Sequence, residues 1–261
     1  MLTINYHTHT SRCRHAKGTD REYVESAIAA GVKILGFSDH APYCFPDGYY
    51  SGFRMFRSDT EGYVKSISEL KKEYAKDIRI YIGYELEYYP DYFSDTVEFI
   101  EGFGYDYMIL AQHFCRNEMG EKPSGTPTDD EERLEKYVSQ SVEGIKTGRF
   151  FYMAHPDLIG YTGSEEIYDR HMRRLCRYAK KADMPLEINL LGVHESRFYP
   201  HRQFWRIASE EGCKAIIGLD AHAPEHFGRE QAYEKAIEFA ESCGIEVIAP
   251  ETPVRMRAVS E

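Results

Sequence analysis

Seven short apolar or aromatic runs alternate along this chain with longer amphipathic stretches, and that alternation is what βα units around a parallel sheet require. The strand candidates are Leu2 to Tyr6, Ile34 to Ser38, Ile78 to Tyr84, Tyr105 to Ala111, Phe150 to Ala154, Leu186 to Leu190 and Ala215 to Leu219. Helix-like segments lie between them at about 21–31, 59–76, 94–101, 130–147, 164–182, 201–212 and 229–243. Several open on an Asp or Ser of N-cap type, and Gly31, Gly148, Gly212 and Gly244 are plausible stops. No break in composition, internal repeat or low-complexity linker interrupts the series. We therefore expect one α/β domain over residues 1–261, a closed or nearly closed barrel, with a doubly wound open sheet as the rival. The chain lacks the G-x-G-x-x-G turn of dinucleotide binding and the Gly-rich loop ending in Lys-Ser or Lys-Thr that cradles nucleotide phosphates.

Nearly every strand candidate is followed at once by a side chain that can bind a metal. The first ends in His7-Thr-His9, two imidazoles on the same side of a strand. The second leads to His40, the third to Glu85, the fourth to His113, the fifth to His155, and the seventh to Asp220 and His222. The sixth, ending near Asn189, brings no strong ligand. In a parallel barrel all C-terminal strand ends meet on one face, so these groups converge on one mouth. With His15 on the first loop the set has seven of the eleven histidines and two carboxylates, more than one tetrahedral ion uses, and two or three ions follow. A carboxylate such as Glu85 can bridge neighbouring ions. His171, inside a helix-like stretch, and His201, at a helix start, read as solvated side chains, whereas His194 and His226 lie in loops near enough to the mouth to meet a substrate.

Forty-three acidic against 32 basic side chains give a net charge of −11, which repels nucleic acid and anionic membranes at long range. A phosphate ligand must therefore be attracted locally. No window approaches the ~18 apolar residues of a membrane span, and MLTINYHTHT lacks the basic and apolar regions of a signal peptide, so we expect a cytoplasmic protein. Six irregularly spaced cysteines, at 13, 44, 115, 176, 213 and 243, read as reduced packing thiols. Two long loops, 41–58 and 116–129, are candidates for lids or substrate walls. The tyrosines dense at 43–63 and 84–107 are mostly core and strand residues, with some free to line a pocket.

The succession HTHT, GFSDH, YELE, AQHF, AHPD and GLDAH resembles the polymerase and histidinol phosphatase (PHP) superfamily, over essentially the whole chain. GYELEYYPDY with YDYMILAQHF, AHPDLI, and LEINLLG followed by Tyr-Pro resemble its stand-alone histidinol-phosphatase branch. The resemblance implies a distorted seven-stranded β/α barrel. It also implies one metal on His7, His9, Glu85 and Asp220, a second on Glu85, His113 and His155, and a third on His15, His40 and His222. Zinc, iron or manganese suits this nitrogen-rich set better than magnesium. The implied reaction is hydrolysis of a phosphate monoester, L-histidinol phosphate of histidine biosynthesis, by a metal-bridging hydroxide and without a phosphoenzyme. Asp220 is the first choice for acid or base, with His222 and metal-bound water as alternatives. Arg197 is the candidate for the phosphate oxygens, with Arg116 and His194 as further substrate contacts. Gly160 and Tyr161 stand where several members of the branch carry a basic residue. The alternative within the superfamily is a phosphoesterase acting on nucleotides or nucleic-acid ends. The acidic charge speaks against long nucleic acid and leaves small nucleotides open. A non-catalytic metal-binding module is the reading from a different class, and the complete ligand set argues against it.

Overall fold

A computed structural model describes residues 1–254. In chain order it runs β1 (Ile4–Asn5), α1 (Asp20–Ala29), β2 (Ile34–His40), α2 (Thr60–Glu73), β3 (Arg79–Leu86), α3 (Phe93–Glu101), β4 (Tyr107–Leu110) and α4 (Glu131–Lys146). It continues with β5 (Tyr152–Met153), α5 (Glu165–Ala182), β6 (Leu186–Asn189), α6 (Leu190–His194), α7 (Arg202–Glu210), β7 (Lys214–Gly218), α8 (Glu230–Cys243) and β8 (Glu246–Val247). All neighbours in the sheet are consecutive and parallel, from β1 to β8.

The sheet has eight strands, not the seven expected. The extra one, β8, is two residues long, and Glu246-Val247 carries too little apolar pattern to be read as a strand. Where β1 and β7 run out, the sheet curls closed: the His9 amide donates to the Ala221 carbonyl at 2.9 Å and the Ala221 amide to the His7 carbonyl at 3.1 Å. The distorted α/β barrel is thus the fold, and the open-sheet rival falls away.

The helices form for local reasons that the sequence states. Thr19 and Glu22 make a capping box at the start of α1, Asp130 caps α4 through the Glu132 amide at 2.9 Å, and Gly31, Gly148, Gly212 and Gly244 all take left-handed φ at their helix ends. The helices' apolar faces, such as Tyr168, Met172, Leu175 and Ala179 of α5, bury against the outside of the sheet in the main core. Among the described residues no helix is long and apolar enough to cross a membrane.

Inside the barrel a second, smaller core is built of Tyr6, Ile34, Tyr107, Ile109, Phe151 and Tyr152, among others. Tyr107 lies across it and donates its hydroxyl to the carbonyls of Tyr6 at 2.7 Å and Phe37 at 3.0 Å. A Cβ at Gly36 or Gly83 would overlap the Tyr107 ring, which is why GFSDH and IGYE carry glycine there.

Candidate metal and substrate site

The strand ends place the sequence-selected residues in one cluster at the C-terminal mouth. His40 is the last residue of β2 and is in register with Glu85 of β3, so their side chains share a face, with His40 Nδ1 and Glu85 Oε2 3.0 Å apart. Around Glu85, Oε1 lies 3.1 Å from His155 Nε2, 3.4 Å from His7 Nε2 and 3.6 Å from His113 Nε2, and Oε2 lies 3.5 Å from His9 Nε2. Asp220 Oδ1 lies 3.1 Å from His9 Nε2 and 3.5 Å from His7 Nε2. On the outer side, His15 Nε2 and His222 Nε2 face each other at 2.8 Å. His155 and Asp220 both adopt positive φ, 27° and 52°, a backbone strain of roughly 1 kcal/mol or more each that turns their side chains into the mouth.

This set fits divalent cations on its own geometry. His7 Nε2, both ring nitrogens of His9, His40 Nδ1, Glu85 Oε2 and Asp220 Oδ1 are buried without a hydrogen-bond partner, a costly condition that a shared ion relieves. His15 Nδ1 donates to the Cys13 carbonyl and His222 Nδ1 to that of Asp220, so each Nε2 is left with a lone pair, and the two lone pairs point at one another. Groups of three ligand atoms within 4.8 Å of one another include His7, His9 and Asp220; His7, Glu85 and His155; and His9, His40 and His222.

The charges point the same way. Burial works against the His7 cation, but Glu187, Asp220 and Glu85 outweigh it and hold the imidazole well above its ordinary pKa; His9 is raised to about 9, against its burial, by Asp220, Asp39 and Glu85. Burial opposes the Glu85 and Asp220 anions too, and the surrounding imidazoles, led by His40 and His7 respectively, hold both well below the usual carboxylate range. At His222 burial and the His9 cation lower the pKa to about 3, leaving a neutral imidazole. The site attracts positive charge and holds it as protons where no metal ion competes.

Four buried residues that sequence reasoning missed orient this set. Glu187 of β6 takes His7 Nδ1 at 2.7 Å and the His155 amide at 3.1 Å; Glu87 takes His113 Nδ1 at 2.7 Å; Asn189 donates to Glu187 at 3.0 Å and to Asp220 Oδ2 at 3.1 Å. Asp39 lies 3.5 Å from His9 Nδ1 and accepts the Thr10 hydroxyl. Such carboxylate–histidine pairs fix the ring orientation and the tautomer. A signal was present for two of them: Glu87 and Glu187 alternate with Glu85 and Asn189 on the inward side of their strands. Behind Glu87 stands Arg54, a guanidinium only 2% exposed that donates to Glu87 at 2.7 Å and to Glu118 at 3.2 Å.

Above the cluster opens a cleft of about 690 Å³, walled by Phe53, Phe114, Leu158, Leu191, Phe198 and Tyr199, with Glu195, Arg197 and His226 at its rim. Arg197 donates to Tyr199 Oη at 2.7 Å and to Glu195 at 2.8 Å. Arg116 and His194 are exposed and do not line this cleft, although the sequence put both near the mouth. Loop 116–129 is a fastened wall: Ser124 donates to the His113 carbonyl at 2.7 Å, Gly160 to that of Ser124 at 2.9 Å, and Thr128 to that of Gly160 at 2.9 Å. A Cβ at Gly160 would meet the Gly125 carbonyl oxygen at 2.6 Å, so the wall leaves no room for a side chain at this position. Loop 41–58 sends Phe53 to the cleft and folds most of its length around a separate hollow of about 710 Å³.

Two smaller expectations change. His171 is not solvated: it is buried between Glu131 at 3.0 Å and Glu135 at 2.8 Å, because α4 packs against α5. His201 is half-buried, with its ring against Tyr168. The six cysteines are free, and burial pushes the Cys13 thiol, which lies beside His15 and Asp39, far up.

Residues 5–190 match the PHP domain family. A probable histidinol-phosphatase of Deinococcus radiodurans is 28% identical over 235 residues, covering 85% of this chain and 87% of that protein. The histidinol-phosphatase of Bacillus subtilis is 33% identical over 120 residues, 43% of this chain and 44% of its own length. The fold superimposes on histidinol phosphate phosphatase of Lactococcus lactis, solved in complex with zinc, L-histidinol and phosphate, with a TM-score of 0.75 and 20% identity over 98% of this chain and 100% of that one. A family match from the first strand to the start of α6, together with strand ends that carry HTHT, GFSDH and YELE into one mouth, leaves one conclusion: the chain belongs to the PHP domain family.

Proposed function

We propose that this chain is a metal-dependent phosphomonoesterase that hydrolyses L-histidinol phosphate to L-histidinol and phosphate, with residues 1–261 acting as one domain. The observation that carries the reading is the cluster of buried imidazole and carboxylate atoms without partners at the barrel mouth, beneath an aromatic cleft. The proteins similar to the chain over most of its length, named for action on histidinol phosphate, support the choice of substrate. One domain is supported by β7 and β8, which lie beyond the family match yet continue the same sheet, and by Asp220 and His222, which join residues from the first strand in the cluster.

Two or three divalent ions, zinc, iron or manganese, are assigned to His7, His9, Glu85 and Asp220; to Glu85, His113 and His155; and to His15, His40 and His222. Bound there, such ions would supply positive charge to the phosphoryl oxygens and acidify a water nucleophile. The chain's own groups do the rest. Glu85, with five imidazoles within 3.6 Å of its oxygens, is placed to be shared between neighbouring ions. Asp220 is the proposed proton carrier: Asn189 holds its Oδ2 as an acceptor, and the carboxylate takes the proton of the attacking water and returns it to the leaving alkoxide. His222 stays neutral and completes the outer group. Arg197 forks onto non-bridging phosphate oxygens from the rim. The aromatic wall excludes water and packs against the imidazole of the leaving group.

The test is phosphate release by the full chain, loaded in turn with zinc, iron or manganese, on L-histidinol phosphate beside nucleotides and a simple aryl phosphate. A kcat/KM for histidinol phosphate about a hundredfold above the panel, lost with chelator and regained with metal, is the expected result. Flat activity across the panel overturns the substrate.

A further inference from the structure

Among the described residues, apart from the histidines and the two carboxylates of the metal cluster, only Glu195 and Arg197 bring formal charge to the cleft wall; the rest is aromatic, aliphatic or small. They are of opposite sign and bound to each other, with Glu195 Oε2 2.8 Å from Arg197 Nε and 2.7 Å from Nη2. Both side chains are about two-fifths exposed, 42% and 41%, so this contact is weak and open to exchange. Tyr199, itself buried, holds the third nitrogen of the guanidinium and keeps Arg197 aimed along the rim when its carboxylate partner leaves. Glu195 also acts on Arg229, which lines a small separate hollow beside His226 and Phe227.

We infer that Glu195 is a specificity-determining residue, which selects phosphate monoesters whose leaving alcohol carries an ammonium group. The inference rests on the proposed phosphatase reading of this same cleft. When a phosphate dianion takes the fork of Arg197, Glu195 loses its nearest counter-ion and stands beside added negative charge. A substrate with its own cation restores the balance: one internal ion pair is exchanged for two between enzyme and substrate. A substrate that is only an anion, such as a nucleotide or a sugar phosphate, leaves Glu195 without a counter-ion beside the added negative charge, a like-charge contact that counts against it. The cleft thus sorts substrates by a cation on the leaving group, and the aromatic walls add a preference for a ring beside it.

The experiment compares the metal-loaded full chain with Glu195→Gln and Glu195→Asp on two substrates that differ only in the ammonium group, O-phosphoethanolamine and ethyl phosphate, and on L-histidinol phosphate. The wild type is expected to prefer the amine. In Glu195→Gln that preference should fall about five- to tenfold, carried by KM. The KM for ethyl phosphate should fall, since the Arg197 fork is freed, and Glu195→Asp should restore part of the amine preference. Opposite movement of the two substrates is a signature that a merely structural role does not produce. Calorimetric binding of L-histidinol, which needs no turnover, should weaken by a similar factor in Glu195→Gln. The inference is overturned if the wild type shows no amine preference, if the substitution moves both substrates by the same factor, or if L-histidinol binding is unchanged. If L-histidinol phosphate proves no better than the simple amine, the proposed substrate fails while the paired comparison still decides the role of Glu195.

Discussion

The two ends of this barrel are made from the same strands and solve opposite problems. At the N-terminal end the interior is filled with rings, and their polar atoms are satisfied: Tyr107 donates to two carbonyls, and Tyr6 donates to the Pro250 carbonyl of the segment after β8, which closes the floor. At the C-terminal end, a few residues further along the same strands, buried ring nitrogens and carboxylate oxygens stand 3.0 to 3.5 Å apart without hydrogen-bond partners. A structure selected for stability alone would not keep them, since each unpartnered buried group costs about 1–3 kcal/mol. The floor supplies the stability that the mouth spends on readiness for cations.

Substitutions at the two ends should therefore separate activity from stability. The largest effect is expected at the mouth: His9→Ala or Glu85→Gln lowers kcat/KM by about a thousandfold or more, while the circular dichroism spectrum of the metal-free protein stays near wild type. If activity survives either change, the contrast between the ends is broken. At the floor, Gly83→Ala drives a methyl into the Tyr107 ring and should cost about 3 kcal/mol in denaturant unfolding, with kcat per folded molecule unchanged.

Stripping the metal with chelator should lower the melting temperature by roughly 5–10 °C, reversed on reloading. The pH dependence sharpens the point. In the metal-free protein His9 has its pKa raised from the ordinary 6.5 to about 9, so its cation stabilises the fold fully below pH 6.5, and this stabilisation is lost as pH rises through 9. The metal-free melting temperature should fall between those values, and metal binding, which displaces the proton, should flatten the slope.

Next in size, Glu187→Gln, which leaves His7 Nδ1 without its carboxylate, should weaken metal affinity about 10- to 100-fold by titration, with little change in the floor's stability. The smallest effects are expected at Arg116→Ala and His194→Ala, which do not line the cleft and should move KM for histidinol phosphate by less than about twofold. A larger effect at either would place the substrate beyond the cleft described.

Much of the mouth was legible because ligand atoms on parallel strands follow a linear rule: each sits at the C-terminal end of its own apolar run. The residues behind them were harder to see. Glu187 reads as one more charged residue in an apolar strand, and only the tertiary fold puts it 2.7 Å from His7, 180 positions away. Arg54 reads as a loop arginine and is in fact buried against Glu87. The five-residue helix α6 begins directly after Asn189, and its first residue, Leu190, reads as the end of the sixth strand because it continues the apolar series of Leu186 and Ile188. β8 escaped for lack of length, and its pairing with β7 is a contact that no local pattern announces.

By itself the sequence determined the βα alternation, the glycines at helix ends, and the order in which histidines and carboxylates arrive at one face. These are consequences of period and of local backbone geometry, which neighbouring residues settle among themselves. The tertiary structure alone decided that Gly160 yields its space to the 116–129 wall, that Arg116 and His194 stay outside the cleft, and that Glu195 and Arg197 meet at its rim. Those outcomes depend on how loops from different strands pack over a shared mouth, and the energy that fixes them lies in contacts between segments rather than within any one of them.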